Sequence, residues 1–434
     1  MNRNHLTRVM GAALTVTVGF VPACGGGGDD SRTPVVAPVQ VSMTGPNAVT
    51  QWNQVASNTI NVPAAANGSA AEQRPNDSVD LAVVHLAIYN ALAAITGRYQ
   101  PYGGLTQTVS GDASEEAAVG AAAYGVLKGM FPNRSAQYQV AYDSFLAPMP
   151  DGPAKAGGVA VGTAAAAAML ALRGDDGRAV VLAPYVAGTT PGAFRGTNPV
   201  NRFVPSIKPF ALTSASQFRS PPPPALDSEA YAKDFNETRL LGGAAGSTRT
   251  AAQLELARFY TETPSLYWQR NLRGFAMNDG SLVDQARLMA MLFMVEADAG
   301  IACFESKYHY QSWRPLSAIP LADTDGNQAT TPDLAWTPVV PTPNHPEYPA
   351  AHGCITGAIA ETLKTYYGTD QVKFTLDSTV TGATRSFETT QAMVDDVVNS
   401  RVYGGMHFRN SGLRGAELGT NVARWALQQN FQAR

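Results

Sequence analysis

Apolar residues fill long stretches of the chain, in runs too continuous for strands. SVDLAVVHLAIYNALAAI, Ser78 to Ile95, is apolar nearly all round, with Asp77 or Ser78 placed to cap it, and reads as a buried helix. Ala113 to Met130, Ala154 to Leu172 and Leu282 to Ala299 repeat the pattern, much of it alanine-rich. Thr96-Gly97 and Gly174 supply stop signals. Sustained period-2 alternation is scarce. The pattern therefore predicts an all-α fold of helical bundles with long Pro-rich loops, not a sheet. One such loop, Ser220 to Ala225 (SPPPPA), is an extended connector; another, Thr330 to Pro349, carries six prolines. No internal repeat and no composition break divides residues 45–434, which predicts one helical domain with its function in the loops at helix ends.

The start of the chain changes the picture only locally. Arg3 and Arg8 precede a short apolar run, MGAALTVTVGFVPA, well below the roughly 18 apolar residues that span a bilayer. It ends in VPAC before GGGGDDS, which resembles a bacterial lipoprotein cleavage box with Cys24 as the acylated residue. Residues 1–24 are thus expected to be a lipoprotein-type signal peptide, with residues 25–44 a flexible tether. The mature protein is expected to be exported, anchored by lipid at the cell envelope or simply secreted.

Composition removes some function classes. The chain has 434 residues and a formal net charge of −3, so no basic surplus points to nucleic acid or to an anionic lipid surface. Three cysteines are too few for a disulfide framework, although Cys303 and Cys354 have the option of pairing in an oxidising compartment.

Candidate chemistry gathers in the last third. Of six histidines, His5 lies in the leader and His85 on an apolar helix, where a satisfied core histidine is expected. His309, His345, His352 and His407 accompany the segments KYHYQSWRP (307–315) and SRVYGGMH (400–407). Lys307 and Arg314 are seven apart, the spacing that puts two side chains on one side of a helix. Arg401 and His407 flank a Tyr-Gly-Gly bend that would let backbone approach a ligand. Any one of these cations alone reads as a solvated helix charge. Together, three fixed cations and the histidines His352 and His407, with little carboxylate nearby, suit a tetrahedral oxyanion. Guanidinium forks pair oxygens two at a time, lysine adds a point charge, one imidazole bonds the central atom and the other trades protons with it.

These segments resemble a known pattern. Lys-x6-Arg-Pro, Pro-x-x-His and Ser-Arg-x5-His are similar to the signature of the vanadium-dependent haloperoxidase and type 2 phosphatidic acid phosphatase superfamily. Lys307 to Pro315 and Ser400 to His407 match fully, while Pro349 to His352 reads Pro-Ala-Ala-His where the family has Pro-Ser-Gly-His. DAGIACFESKYHYQSWRP, RSFETTQAMVDDVVNSRVYGGMHFRN and FALTSASQFRSPPPPAL also resemble bacterial haloperoxidase-like secreted proteins, so the likeness spans nearly all of the mature chain.

The resemblance implies an all-α fold with an oxyanion site in the bundle core and vanadate as cofactor. It also implies hydrogen peroxide, halide and a small organic acceptor as partners, and a homo-oligomer. Residue by residue, His407 would coordinate vanadium. Arg314, Arg401 and Lys307 would neutralise the equatorial oxygens, Lys307 also polarising bound peroxide. His352 would be the acid–base group, and Ala351 would donate its backbone N–H. Ala350 lacks the hydroxyl of the family serine, a loss worth about 0.5–1.5 kcal/mol, which weakens such a site without abolishing it. His345, seven residues before His352, falls where many bromide-using relatives carry a histidine near the halide, and so implies bromide; the other reading is a surface loop histidine with no role.

Two other functions stay open at this level. A soluble acid phosphatase would use His407 as nucleophile and His352 as the acid for the leaving alcohol. Against it, Ser411 stands where such phosphatases place an aspartate, four residues after the nucleophile, and no mature stretch has 18 unbroken apolar residues. A non-catalytic oxyanion-binding lipoprotein is the third reading, motivated by Ala350. Of the remaining residues, Trp313 is expected to pack in the core beside Arg314. Asp298 is expected either to orient a cation or to serve as a cap or surface group, and His309 is expected to be structural.

Overall fold

Caps and breakers written in the sequence set the helix boundaries. The computed structural model describes residues 38–41, 45–60, 77–104, 112–278 and 280–434; the leader, Cys24 and most of the expected tether lie outside them. The helices are α1 (Ala48–Ile60), α2 (Asp77–Thr96), α3 (Glu115–Met130), α4 (Ser135–Leu146), α5 (Pro153–Arg173), α6 (Glu229–Gly242) and α7 (Ala251–Phe259). They continue with α8 (Pro264–Ala276), α9 (Leu282–Tyr310), α10 (Pro315–Ala318), α11 (Ala351–Tyr367), α12 (Thr390–Tyr403) and α13 (Arg409–Gln429). The hydroxyls of Ser114, Ser228, Ser281 and Thr389 each accept an N–H from the first turn of α3, α6, α9 and α12, and Thr250 with Gln253 forms a capping box on α7.

The expected all-α architecture is what folds. α2 is buried along most of its length and packs against α3, α5 and α9, while α9 continues past that group to pack against α11 and α13, with α12 completing the second bundle. α9 is thus the shared member of two helical bundles, and residues 38–434 form one compact unit. The expected end of this helix, Ala299, falls eleven residues short. Ala302, Cys303, Ser306 and Lys307 form a buried face that carries it on to Tyr310, where Gln311 takes the left-handed conformation and ends it. α2 and α5 are long and apolar enough to cross a membrane by length and composition; α2 instead lies mostly inside the bundle.

A small sheet departs from the helical expectation. β1 (Val39–Gln40) pairs parallel to β2 (Val372–Asp377), which pairs antiparallel to β3 (Thr384–Phe387), with Phe374 opposite Phe387. VKFTLD does alternate, its Val372, Phe374 and Leu376 buried, but six residues are too few to stand out in a long polar and apolar sequence.

Two features hold the second bundle tight around the chemistry. α11 and α13 approach so closely that a Cβ on Gly357 would lie 2.3 Å from the Ala416 carbonyl oxygen, and one on Gly419 would lie 1.9 Å from that of Cys354. Cys303 and Cys354 form a disulfide that joins α9 to α11, four residues before Lys307 and two after His352. The bridge closes a separation of 51 residues. Chain entropy then predicts that the double alanine variant loses about 2–4 kcal/mol of stability, measured by denaturant unfolding. An unchanged midpoint in the variant would show that the bundle packing alone sets the stability.

Candidate active site

The predicted site residues reach the same place from several elements. Lys307 ends the buried face of α9. Its ammonium donates to the carbonyls of Pro346 and Glu347, both at 3.0 Å, and so pins the Pro-rich loop under the site. A lysine carries three N–H donors, which leaves one for a ligand. Arg314 does not share a helix with Lys307 as its spacing suggested. α9 has already ended, and Arg314 sits in extended backbone as the cap of α10. It reaches the site from this connector: Nε donates to the His345 carbonyl at 2.8 Å and Nη1 to the Met406 carbonyl at 2.9 Å. Arg401, in the last turn of α12, donates through Nη1 to the Tyr260 carbonyl at 2.7 Å, while its buried Nε has no partner. The glycine bend after it serves packing rather than ligand approach. Gly405 has φ +75, and a Cβ there would fall 2.4 Å from the Gly242 oxygen of α6.

The histidines complete the cluster. His407 Nε2 lies 2.8 Å from Arg314 Nη1, and His352 Nε2 lies 3.4 Å from Arg401 Nη1. His352 is the second residue of α11, so the positive end of that helix and its first backbone N–H groups, Ala351 included, open toward the site. Ala351 is helical, a conformation an alanine takes without strain. Ala350 caps the helix with no side-chain hydrogen bond. His345 is buried, with Nδ1 3.0 Å from Arg314 Nη2 and its ring edge-on to Phe304, so it is not a surface loop residue. His309 is exposed and turned away, against Tyr310. Trp313 packs in a small satellite core. His85 is a core histidine, bonded to Asn53 at 2.9 Å and stacked on Phe293.

The electrostatics are those of an anion site. Lys307, Arg314 and Arg401 are all buried, and a single carboxylate, Glu347, is buried with them. Burial, then mutual repulsion with the other cations, pushes the Lys307 ammonium well below its ordinary value. Burial takes Arg314 down to about 10 and, with Arg314 beside it, Arg401 down to about 9. Burial, reinforced by the cations, also holds His345, His352 and His407 well below the usual imidazole range, so all three are neutral at pH 7. A bound oxyanion would relieve each of these shifts at once, and a tetrahedral anion such as vanadate or phosphate fits this donor set.

Glu347 is the residue that sequence reasoning missed. Its Oε1 accepts from His407 Nδ1 at 2.9 Å and from the Phe408 backbone N–H at 3.0 Å. Burial pushes this carboxyl up to about 7 while Arg314 and Lys307 pull it back. With the proton on Nδ1, Nε2 of His407 carries the lone pair and accepts from Arg314. Ser411 stands at the position of the phosphatase-type aspartate and supports Glu347 instead: its hydroxyl donates to the Glu347 carbonyl at 3.3 Å and helps hold the Glu347 carboxyl down. The ring-orienting carboxylate therefore comes from the loop, sixty residues before His407 in the chain. Its one local signal was an acid set between prolines in NHPEYP. Asp298, open to two roles in the sequence, orients no cage cation. It is buried and accepts the backbone N–H groups of Phe210, Ala211 and Leu212 at 2.7–3.2 Å.

A cavity of about 760 Å³ opens on this cluster, with His345, His352, Arg401 and His407 in its wall. Glu296 lines it as well; it accepts from the Ser78 hydroxyl at 2.9 Å, and burial holds its carboxyl well above the usual carboxylate range. Ala350→Ser is expected to return a hydroxyl to the anion and raise phosphate affinity by up to about tenfold, read by calorimetry. A higher melting temperature with unchanged affinity would assign that hydroxyl to helix capping instead.

Comparison with known proteins follows the same division. Residues 287–433 match the family described as the VCPO second helical-bundle domain. Vanadium chloroperoxidase of Curvularia inaequalis is 33% identical over 95 residues, which are 19% of this chain and 15% of that protein; the match thus spans a small part of the curated relative. The fold is that of a bacterial vanadium-dependent iodoperoxidase, with TM-score 0.71, 21% identity and coverage of 90% of this chain and 99% of the other. It is equally that of a holo-type bacterial vanadium-dependent chloroperoxidase, with TM-score 0.70, 16% identity and coverage of 89% and 98%.

Proposed function

We propose that this chain is a member of the vanadium-dependent haloperoxidase superfamily and acts as a vanadate-dependent haloperoxidase that oxidises halide with hydrogen peroxide to hypohalous acid, a reading supported by the family match over residues 287–433 and by the shared fold. The observation that carries this reading is the buried, under-neutralised cage of Lys307, Arg314 and Arg401 around His407, whose Nε2 faces Arg314. When bound, vanadate supplies a Lewis-acid centre that activates peroxide toward halide. His407 Nε2 is the atom that would hold the metal, and Lys307, Arg314 and Arg401 would hold its oxygens. His352, neutral and on the cavity side, is placed to take a proton from peroxide and return it to the departing oxygen. The backbone N–H of Ala351 adds a donor at the helix end. Bromide is the halide of this reading, with His345 lining the cavity next to Arg314. Export also belongs to the proposal, and the Cys303–Cys354 disulfide supports it.

A phosphatase is the second reading, and Glu347 is what favours it. The absent aspartate after His407 counted against that chemistry, yet Glu347 meets the same need for a carboxylate on Nδ1. The test is steady-state bromination of a phenol-type dye with vanadate and peroxide, beside hydrolysis of p-nitrophenyl phosphate without peroxide. Bromination is expected. Phosphate release alone would move the chain to the phosphatase, and neither activity with measurable vanadate binding would leave an oxyanion-binding protein.

A further inference from the structure

A second cavity, of about 620 Å³, lies behind the imidazole–carboxylate pair. No residue lines both cavities: His407 faces the first, and Glu347, hydrogen-bonded to it, faces the second. The hydrogen-bonded pair of His407 and Glu347 forms part of the wall between them. This rear cavity has a size suited to a small organic molecule, and its lining is chemically the opposite of the anion cage. Tyr231, Trp313 and Phe408 give it aromatic walls, Asp234 and Glu347 give it two carboxylates, and no lysine, arginine or histidine lines it. Lys307 and Arg314 reach Glu347 without entering this wall.

Its polar groups are incompletely used. The Trp313 indole N–H and the Tyr231 hydroxyl lie side by side, both buried, and neither makes a well-formed hydrogen bond. Asn410 Oδ1 is buried without a partner too, although the Asn410 backbone N–H donates to Asp234 at 2.8 Å and so fixes that carboxylate at the wall. Burial raises the Asp234 carboxyl above its ordinary value, although the Asn410 N–H and the Arg409 and Lys233 cations pull it back. Unsatisfied buried groups converging on one cavity are rare without an occupant.

We propose that the rear cavity binds a small organic ammonium ion with an apolar body, its charge held between the Asp234 and Glu347 carboxylates and the aromatic faces of Tyr231, Trp313 and Phe408. An anion would meet two carboxylates and no basic residue in the lining. A neutral apolar molecule would use the rings but neither carboxylate. A cation over aromatic rings, with acceptors at its rim, uses both the rings and the acids of the wall.

The test is direct binding to the full chain, independent of turnover. Calorimetry compares choline with neohexanol, its uncharged carbon isostere. Choline is expected to bind at least about tenfold more tightly. Asp234→Asn should remove most of that preference. Ala225→Trp, at an exposed position of the rim, should block both probes without touching a carboxylate. Melting curves of the two variants establish that they are folded. Equal affinity for the two probes, no binding of choline by the folded wild type, or retained choline preference in both folded variants would each overturn the proposal.

Discussion

Replacing His407 by alanine is expected to lower bromide oxidation and phosphate-ester hydrolysis together, by at least about 10,000-fold in kcat. Both chemistries route through one atom, the Nε2 that faces Arg314 at 2.8 Å. With Nδ1 donating to Glu347, Nε2 carries the lone pair, which accepts from Arg314 until an anion takes that place. The cations remain after the substitution, so electrostatic attraction for an oxyanion persists while its covalent anchor is gone. Alanine at His352 removes proton transfer only and should cost less, about 100- to 10,000-fold. The order of the two losses is the informative quantity, measured as kcat for each variant with saturating vanadate. A His407→Ala enzyme within tenfold of wild type would mean that the cage acts without an axial ligand, and the proposed reading would fail.

Much of this arrangement was legible in the residues, and the gaps have physical causes. α2, α3, α5 and the first part of α9 are continuous apolar runs with caps or stop signals, and local pattern suffices to find them. Lys307, Arg314, Arg401, His352 and His407 were found by residue type and spacing, and the fold brings them to one cluster. The route by which they meet was not legible. Arg314 lies beyond the end of α9, because Gln311 takes a left-handed conformation that no helical spacing encodes. β2 is too short to announce its alternation. Glu347 escaped notice because its role is tertiary. A carboxylate in a proline-rich loop looks solvated, and only the return of the chain sixty residues later places His407 on it. Spacing rules find groups that share a helix; they cannot find groups that share a cavity wall.

Glu347→Gln should separate the charge of that carboxylate from its geometry. The glutamine oxygen has the shape to keep both hydrogen bonds that Oε1 now accepts, from His407 Nδ1 and from the Phe408 N–H. What it loses is the negative charge that makes His407 a stronger base. Turnover is therefore expected to fall about 10- to 100-fold, the range for removing such an orienting partner. Anion affinity should not follow. The cage of Lys307, Arg314 and Arg401 becomes more positive once its one buried carboxylate is neutral, so the inhibition constant for phosphate should stay level or tighten. A substitution that merely loosened the loop would weaken both together. Nitrogen-15 NMR of the His407 ring supplies the readout that stability cannot mimic: Nδ1 is expected to stay protonated in both proteins, with its resonance shifted in the variant because its partner is no longer charged. Unchanged turnover with an unchanged His407 spectrum would remove Glu347 from the machinery, and with it the support it lends to the phosphatase reading.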